Sequence, residues 1–185
     1  ITALPTSISG GSLNLISTST ASSSSTLSFT SGIDSTYKEY MFKFINIHPA
    51  EAEHFTFQAS TNGGTSYGVT LTSTYFHATH DEGDSSTALA YVAGKDLAQS
   101  TSYLRLADSL STSADESTSG TLHLFDPSNT THIKHFLSRS SVAATGAKDG
   151  FVAGYFNTTS AINAIQFKMS SGNIDSGVIK LYGVS

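Results

Sequence analysis

The chain has 185 residues and a mass of 19.4 kDa, with 38% hydrophobic residues, only 12% charged residues and a net charge of -5. Ser occupies 33 positions and Thr 24, so hydroxyls stand where soluble domains usually carry charge. This excludes a helical bundle, which needs Ala, Glu, Lys and Leu in quantity, and favours pleated strands and turns.

Residues 1–25 predict an extended N-terminal arm. Pro5, the Gly10-Gly11 pair and the serines at 22–25 surround one apolar stretch carried by Leu13, Leu15 and Ile16. Such a segment lacks the mass to fold alone and must lie on another surface. The alternative is a first edge strand of the same domain.

From residue 26 to 185 the pattern has period two and predicts one antiparallel β-sandwich of the jelly-roll type. Leu27 and Phe29 alternate with hydroxyls, and the strongest strand, residues 40–47, puts Phe42 and Phe44 on one face and Lys43 on the other. Residues 55–60 alternate likewise and lead into Asn62-Gly63, which predicts a hairpin to a return strand at 67–75. Further strands are expected at 87–93, 103–106, 122–124, 133–137, 151–156, 165–169 and 178–182, with a helical turn at 96–99 and a polar loop at 108–120. On parity, Ile133, His135 and Leu137 face inward while His123 faces away from the core. The expected core holds Phe42, Phe44, Phe55, Phe57, Leu71, Leu122, Leu124, Phe167 and Leu181.

Chemistry is sparse along this pattern. Basic residues never form a stripe, which argues against nucleic acid as a partner. No run approaches a membrane span, and the first residues lack the basic and apolar regions of a signal peptide. Zero cysteines removes disulfides, thiolate nucleophiles and Cys-ligated zinc together. The densest polar cluster, residues 77–84, supplies His77, His80, Asp81 and Asp84 as weak candidate metal ligands, although an exposed loop is the simpler reading. No Gly-x-Ser-x-Gly elbow marks a serine nucleophile, and the carboxylates lie mostly in turns. The expectation is therefore no enzyme, no cofactor and no committed metal. Tyr37, Tyr67, Tyr75, Tyr91 and Tyr103, near strand ends, are the aromatics on which a sugar ring would stack.

Four stretches carry a resemblance: FTSGIDSTYKEYMFKFINIHPA, FTFQASTNGGTSYGVT, TLHLFDPSNTTHIKHFLSRS and GYFNTTSAINAIQFKMSSGNIDSGVIKLYGVS. Together they resemble virion structural proteins of tailed phages of marine bacteria, particularly cyanophages, and KMSSGNIDSGVIKLYG is their most specific part. The resemblance implies a non-catalytic particle component, made in the host cytoplasm and carried on the virion exterior. A compact domain with a short arm and no heptads or shaft repeat points to a capsid decoration protein. The alternative is a tail-fibre or receptor-binding domain that recognises host surface glycans. Edge strands with few lysines predict self-association, and analogy with phage appendages makes it a homotrimer. Through Leu13, Leu15 and Ile16 the arm is expected to contact another copy or the underlying shell, and other virion proteins such as the capsid shell or tail are the expected partners of the chain.

Overall fold

The computed structural model describes residues 13–185. They form an all-β sandwich in which every strand pairing is antiparallel. Twelve strands follow in chain order: β1 (Leu13–Ser24), β2 (Leu27–Phe29), β3 (Glu39–Pro49), β4 (Phe55–Ser60), β5 (Leu71–Asp81), β6 (Thr87–Tyr91), β7 (Leu104–Ala107), β8 (Thr118–Phe125), β9 (Lys134–Ala143), β10 (Gly146–Phe156), β11 (Ala164–Met169) and β12 (Ile174–Val184). Eight of them make a large sheet in the order β1-β12-β3-β8-β9-β10-β5-β6; the other four make a small sheet in the order β2-β11-β4-β7. The chain crosses repeatedly between the sheets, and only β8, β9 and β10 run as a local meander.

The core lies between the sheets because period two sends one side of each strand inward. All nine expected core residues are buried, together with Tyr40, Tyr75, Phe136 and Phe156. Phe167 on β11 is the hub: its ring centroid lies 5.3 Å from Phe42, 5.6 Å from Phe55, 6.1 Å from Phe29 and 6.3 Å from Phe57. Phe57 continues the contact to Phe136 at 5.3 Å and Phe156 at 6.0 Å. Rings of the small sheet thus interdigitate with rings of the large one, mostly edge to face.

Four sequence expectations are corrected. Parity on β9 is the reverse of that read from Ile133 and Leu137: Lys134, Phe136, Ser138 and Ser140 are buried, while His135 and Leu137 face out. Phe136 decides the register, because its ring fills the site between Phe57 and Phe156 and a one-residue slip would expose it. Lys134 is carried inside as a result and donates from Nζ to the carbonyls of His132 (2.7 Å) and Thr158 (3.3 Å). The Asn62-Gly63 turn forms no hairpin, since β4 pairs with β11 and β7 whereas β5 belongs to the other sheet. Gly63 and Gly64 do adopt positive φ (71° and 85°), but the Asn62 carboxamide accepts from Ser66 N–H and closes a loop that carries the chain across the sandwich. Residues 96–99 are not helical, and His77, His80 and Asp81 stand on β5 rather than in a loop.

Residues 13–24 of the expected arm take the edge-strand alternative, paired along β12 from Leu13 opposite Val184 to Ser24 opposite Ile174. Residues 1–12 lie outside the described residues. At the other side of β12 the ladder with β3 bulges, and there Gly177 has φ 123°. A Cβ at that position would stand 2.7 Å from the carbonyl oxygen of Asn46, so only glycine lets the strands close at the bulge.

The β9 register sets a contrast that chemical unfolding can read. Phe136→Ala is expected to cost about 3 to 5 kcal/mol through the cavity it leaves, whereas Leu137→Ser, on the open side, is expected to change stability by about 0.5 kcal/mol or less. Equal losses would show that β9 is turned the other way.

Candidate functional site

The small sheet covers one side of the large sheet, and the other side is open. Across this open face the hydrogen-bond register aligns one row of side chains: Lys180, Lys43, Thr121, Arg139, Phe151, Phe76 and Tyr91, from β12 to β6. Each points outward because its strand neighbours Leu181, Phe42, Leu122, Ser138, Val152 and Tyr75 point into the core.

Three of these seven residues, Phe151, Phe76 and Tyr91, are aromatic. Phe76 and Phe151 stack face to face, with centroids 4.7 Å apart and planes 5° from parallel. The Arg139 guanidinium sits 4.9 Å above the Phe151 centroid and holds Asp149 with two hydrogen bonds, of 2.9 Å from Nε and 2.6 Å from Nη2. Arg139 is thereby held over the ring, by a cation–π contact to Phe151 and a bidentate bond to the Asp149 carboxylate. Beside it Leu137 is 50% exposed and Phe76 39%, an unusual amount of hydrocarbon to leave in water on a sheet face. His123 pairs with Glu39 at 2.6 Å from Nδ1 to Oε1.

The face is hollowed. Three depressions follow one another along β9 and β10. The first, about 540 Å³, is floored by Ala78, Gly120 and Ala147 and walled by Arg139, Asp149 and His80. The second, about 430 Å³, lies among Phe76, Phe151, Leu137 and His123 and shares Thr121 and Arg139 with the first. The third, about 390 Å³, lies among Phe125, His135 and Tyr155 and shares Leu137 and Ala153 with the second. Short side chains at the floor make the sequence of hollows one groove.

Of the weak metal candidates, strand alternation places His77 and Asp81 on the side of Tyr75 and His80 on the open face. Asp81 accepts from the Ser85 hydroxyl and from the backbone N–H of Ser86 (2.7 Å) and Ser85 (2.9 Å), which closes the turn after β5 and, through the Ser85 hydroxyl first, lowers the pKa of its carboxyl. His80 Nε2 contacts Asp84 at 3.0 Å. Among the described residues, no three His, Asp or Glu side chains converge as a metal site would need. Of the tyrosines offered as candidate sugar platforms, Tyr75 is core and Tyr103 is tied to Gln166, while Tyr91 alone belongs to the aromatic row. Phe76 and Phe151 went unnoticed; the signal was available, because an inward Tyr75 forces Phe76 outward. At the edge strand, Leu13 and Leu15 are exposed at 38% and 56%, while Ile16 packs on the domain's own core.

A second polar centre is structural. Asp108, just past β7, is buried and receives Lys95, Lys148 (3.4 Å), Arg105 (3.3 Å) and Ser109 (2.9 Å). Burial would raise its carboxyl, but donation from Lys95 and Ser109 with the charges of Lys95 and Lys148 prevails and holds it at about 2. His54 is turned to the same carboxylate at 3.2 Å, yet its Nδ1 accepts from the Ser109 N–H at 3.1 Å, which keeps the ring neutral. Burial first, and the Arg105 charge next, push its pKa down. Burial also lowers His77, followed by the charges of Lys95 and Lys148.

No family model matches the chain, and no curated protein matches it.

The Asp108 centre makes the domain sensitive to acid in two stages. Both histidines are harder to protonate folded than unfolded, so stability should fall once pH drops below about 6.5. Asp108 has a depressed folded pKa, so its contribution of about 2 kcal/mol is complete above about pH 4 and is lost as pH falls through about 2. Asp108→Asn should cost about 3 kcal/mol at neutral pH by leaving three cations without their counter-charge, and should shrink the lower stage while deepening the upper one, because the Asp108 charge raises the pKa of both histidines. Urea titrations from pH 7 to pH 2 on both proteins test this; an unchanged lower stage in the variant would assign it elsewhere.

Proposed function

We propose that the chain is a non-enzymatic structural protein of a phage particle, displayed on the particle exterior as a capsid decoration protein. The observation that carries this reading is the character of the large sheet's two edges. Neither β1 (LNLISTSTASSS) nor β6 (TALAY) contains a charge or a proline, the usual devices that blunt an edge. Both carry exposed hydrocarbon instead: Leu13 and Leu15 on one, Leu89 and Tyr91 on the other. Such edges suit addition of a strand from a neighbouring copy or from the shell beneath.

The resemblance of the quoted stretches to marine phage virion proteins supports the same reading. A jelly-roll kind of sandwich is supported by the strand order. The small sheet runs β2-β11-β4-β7 and the large sheet continues β3, then the β8-β9-β10 meander, then β5-β6, which follows the pairing of a jelly roll with one strand expanded to three. Closed self-association as a homotrimer buries β1 or β6 against another copy. No cofactor enters this function, and the protein is made in the host cytoplasm before assembly.

The second reading, a tail-fibre or receptor-binding domain for host surface glycans, is favoured by one observation: the aromatic groove on the open face. Position on the particle separates the two. Density of the intact virion should show the domain repeated at regular head positions; density confined to the tail would favour the second reading.

Contact through the β1 edge has its own test. Leu13→Asp with Leu15→Asp should leave the thermal midpoint within about 3 °C, because both side chains are exposed. The same protein should fail to enter particles and should sediment as a monomer. Normal incorporation and an unchanged oligomer would reject the edge as the assembly contact.

A further inference from the structure

We propose that the groove on the open face binds an acidic oligosaccharide, with its anionic group over Thr121, between Lys43 and Arg139, and its sugar rings along Leu137, Phe151 and Phe76. This site is independent of where the protein sits on the particle.

The first observation is a charge arrangement that the fold does not explain. Lys43 and Lys180 are direct cross-strand partners, a placement that costs stability because like charges face each other. Among the described residues neither has an ion-pair partner, and residues 1–12 contain no Asp or Glu. Lys43 rests 5.4 Å above the Tyr182 ring. Arg139 stands in the same row, one strand beyond Thr121. Three of the chain's nine basic residues therefore share a single row, on a protein whose net charge is -5. The carboxylates of this face, Asp149 and Glu39, are already engaged by Arg139 and His123. Arg139 is engaged by Asp149, so the unspent positive charge of the row is that of Lys43 and Lys180, and it selects an anion.

The second observation is the neighbouring surface. Next to the cations lie the Phe76–Phe151 stack and Leu137, and the trough between them is lined with Ser119, Thr121 and Ser141 hydroxyls. A pyranose ring has an apolar C–H face, which packs on aromatic carbon, and hydroxyl edges, which exchange hydrogen bonds with Ser and Thr. A ring bearing a carboxylate or sulfate satisfies all three elements at once. The hollows run end to end along β9 and β10, about 20 Å over the six-residue rise between Asp149 and Tyr155. The row of cations and rings crosses this trough at Thr121, Arg139 and Phe151, so the charged sugar sits at the crossing and further rings follow the trough.

The probe is a carboxylated alginate hexasaccharide, titrated calorimetrically into the full chain at low salt, with a neutral mannohexaose as control. Binding to the alginate probe that exceeds binding to the neutral one, and that weakens as salt is raised, is the expected result. Lys43→Ser with Lys180→Ser should lower alginate affinity about tenfold, since two half-buried charges on this face are removed, while the thermal midpoint is kept or raised. Phe76→Ser, on the open face, should weaken both electrolyte-dependent and salt-resistant parts of the binding. No alginate binding, equal affinity for the neutral sugar, or full competition by a poly-glutamate peptide would each overturn the proposal. The density of the intact virion is unaffected by any of these outcomes, so a failure here leaves the particle position to its own test.

Discussion

Everything in this domain depends on the contact of one ring with four. Phe167 gathers Phe29, Phe55 and Phe57 of its own small sheet around Phe42 of the large sheet, and the contacts of Phe29 with Phe42, Phe55 with Phe44 and Phe57 with Phe136 extend that junction into one core. Rings of this size bury large apolar areas and hold their neighbours at set angles, so they fix the spacing of the sheets as well as their adhesion. Once that spacing is set, the direction of every other side chain follows from alternation. Lys43 must face out because Phe42 and Phe44 face in; Phe76 must face out because Tyr75 faces in.

The open face is therefore a by-product of the core with a chemistry of its own. Burial of one parity leaves the other parity free to vary, and the free parity holds a row that is basic at one end and aromatic at the other. The charge on the inner side follows a different rule. Asp108 gathers Lys95, Lys148 and Arg105 where β7, β10 and the segment after β6 meet, and a buried carboxylate with several donors stays ionised.

Sequence alternation was most informative where large rings repeat at two-residue spacing. Phe42-x-Phe44 and Phe55-x-Phe57 left no choice of face, and the all-β class, the sandwich and the core followed from them. It misled at β9, where Lys134, Ser138 and Ser140 are inside and Leu137 outside. Hydrophobicity alone cannot order those residues; the space beside Phe57 and Phe156 does, and that space is made by strands distant in the chain. Asn62-Gly63 misled for a related reason, since a turn sequence dictates local backbone geometry but not which sheet receives the next strand. The cross-sheet row was illegible in principle without pairing, because Lys180, Lys43 and Arg139 become neighbours only through the ladders.

The unequal width of the two sheets has a mechanical consequence. Four strands cannot cover eight, so the β5–β6 end of the large sheet overhangs the small one. There β6 has a single pairing partner, and its residues are almost all exposed. Polar ties replace hydrocarbon at this corner, including the bond that the Leu97 N–H donates to Ser73 Oγ and the Asp108 ion cluster beneath. Local opening costs least where few apolar contacts break. The domain is thus rigid around Phe167 and compliant at β6, so that a load applied along the large sheet peels β6 away before it disturbs the aromatic centre.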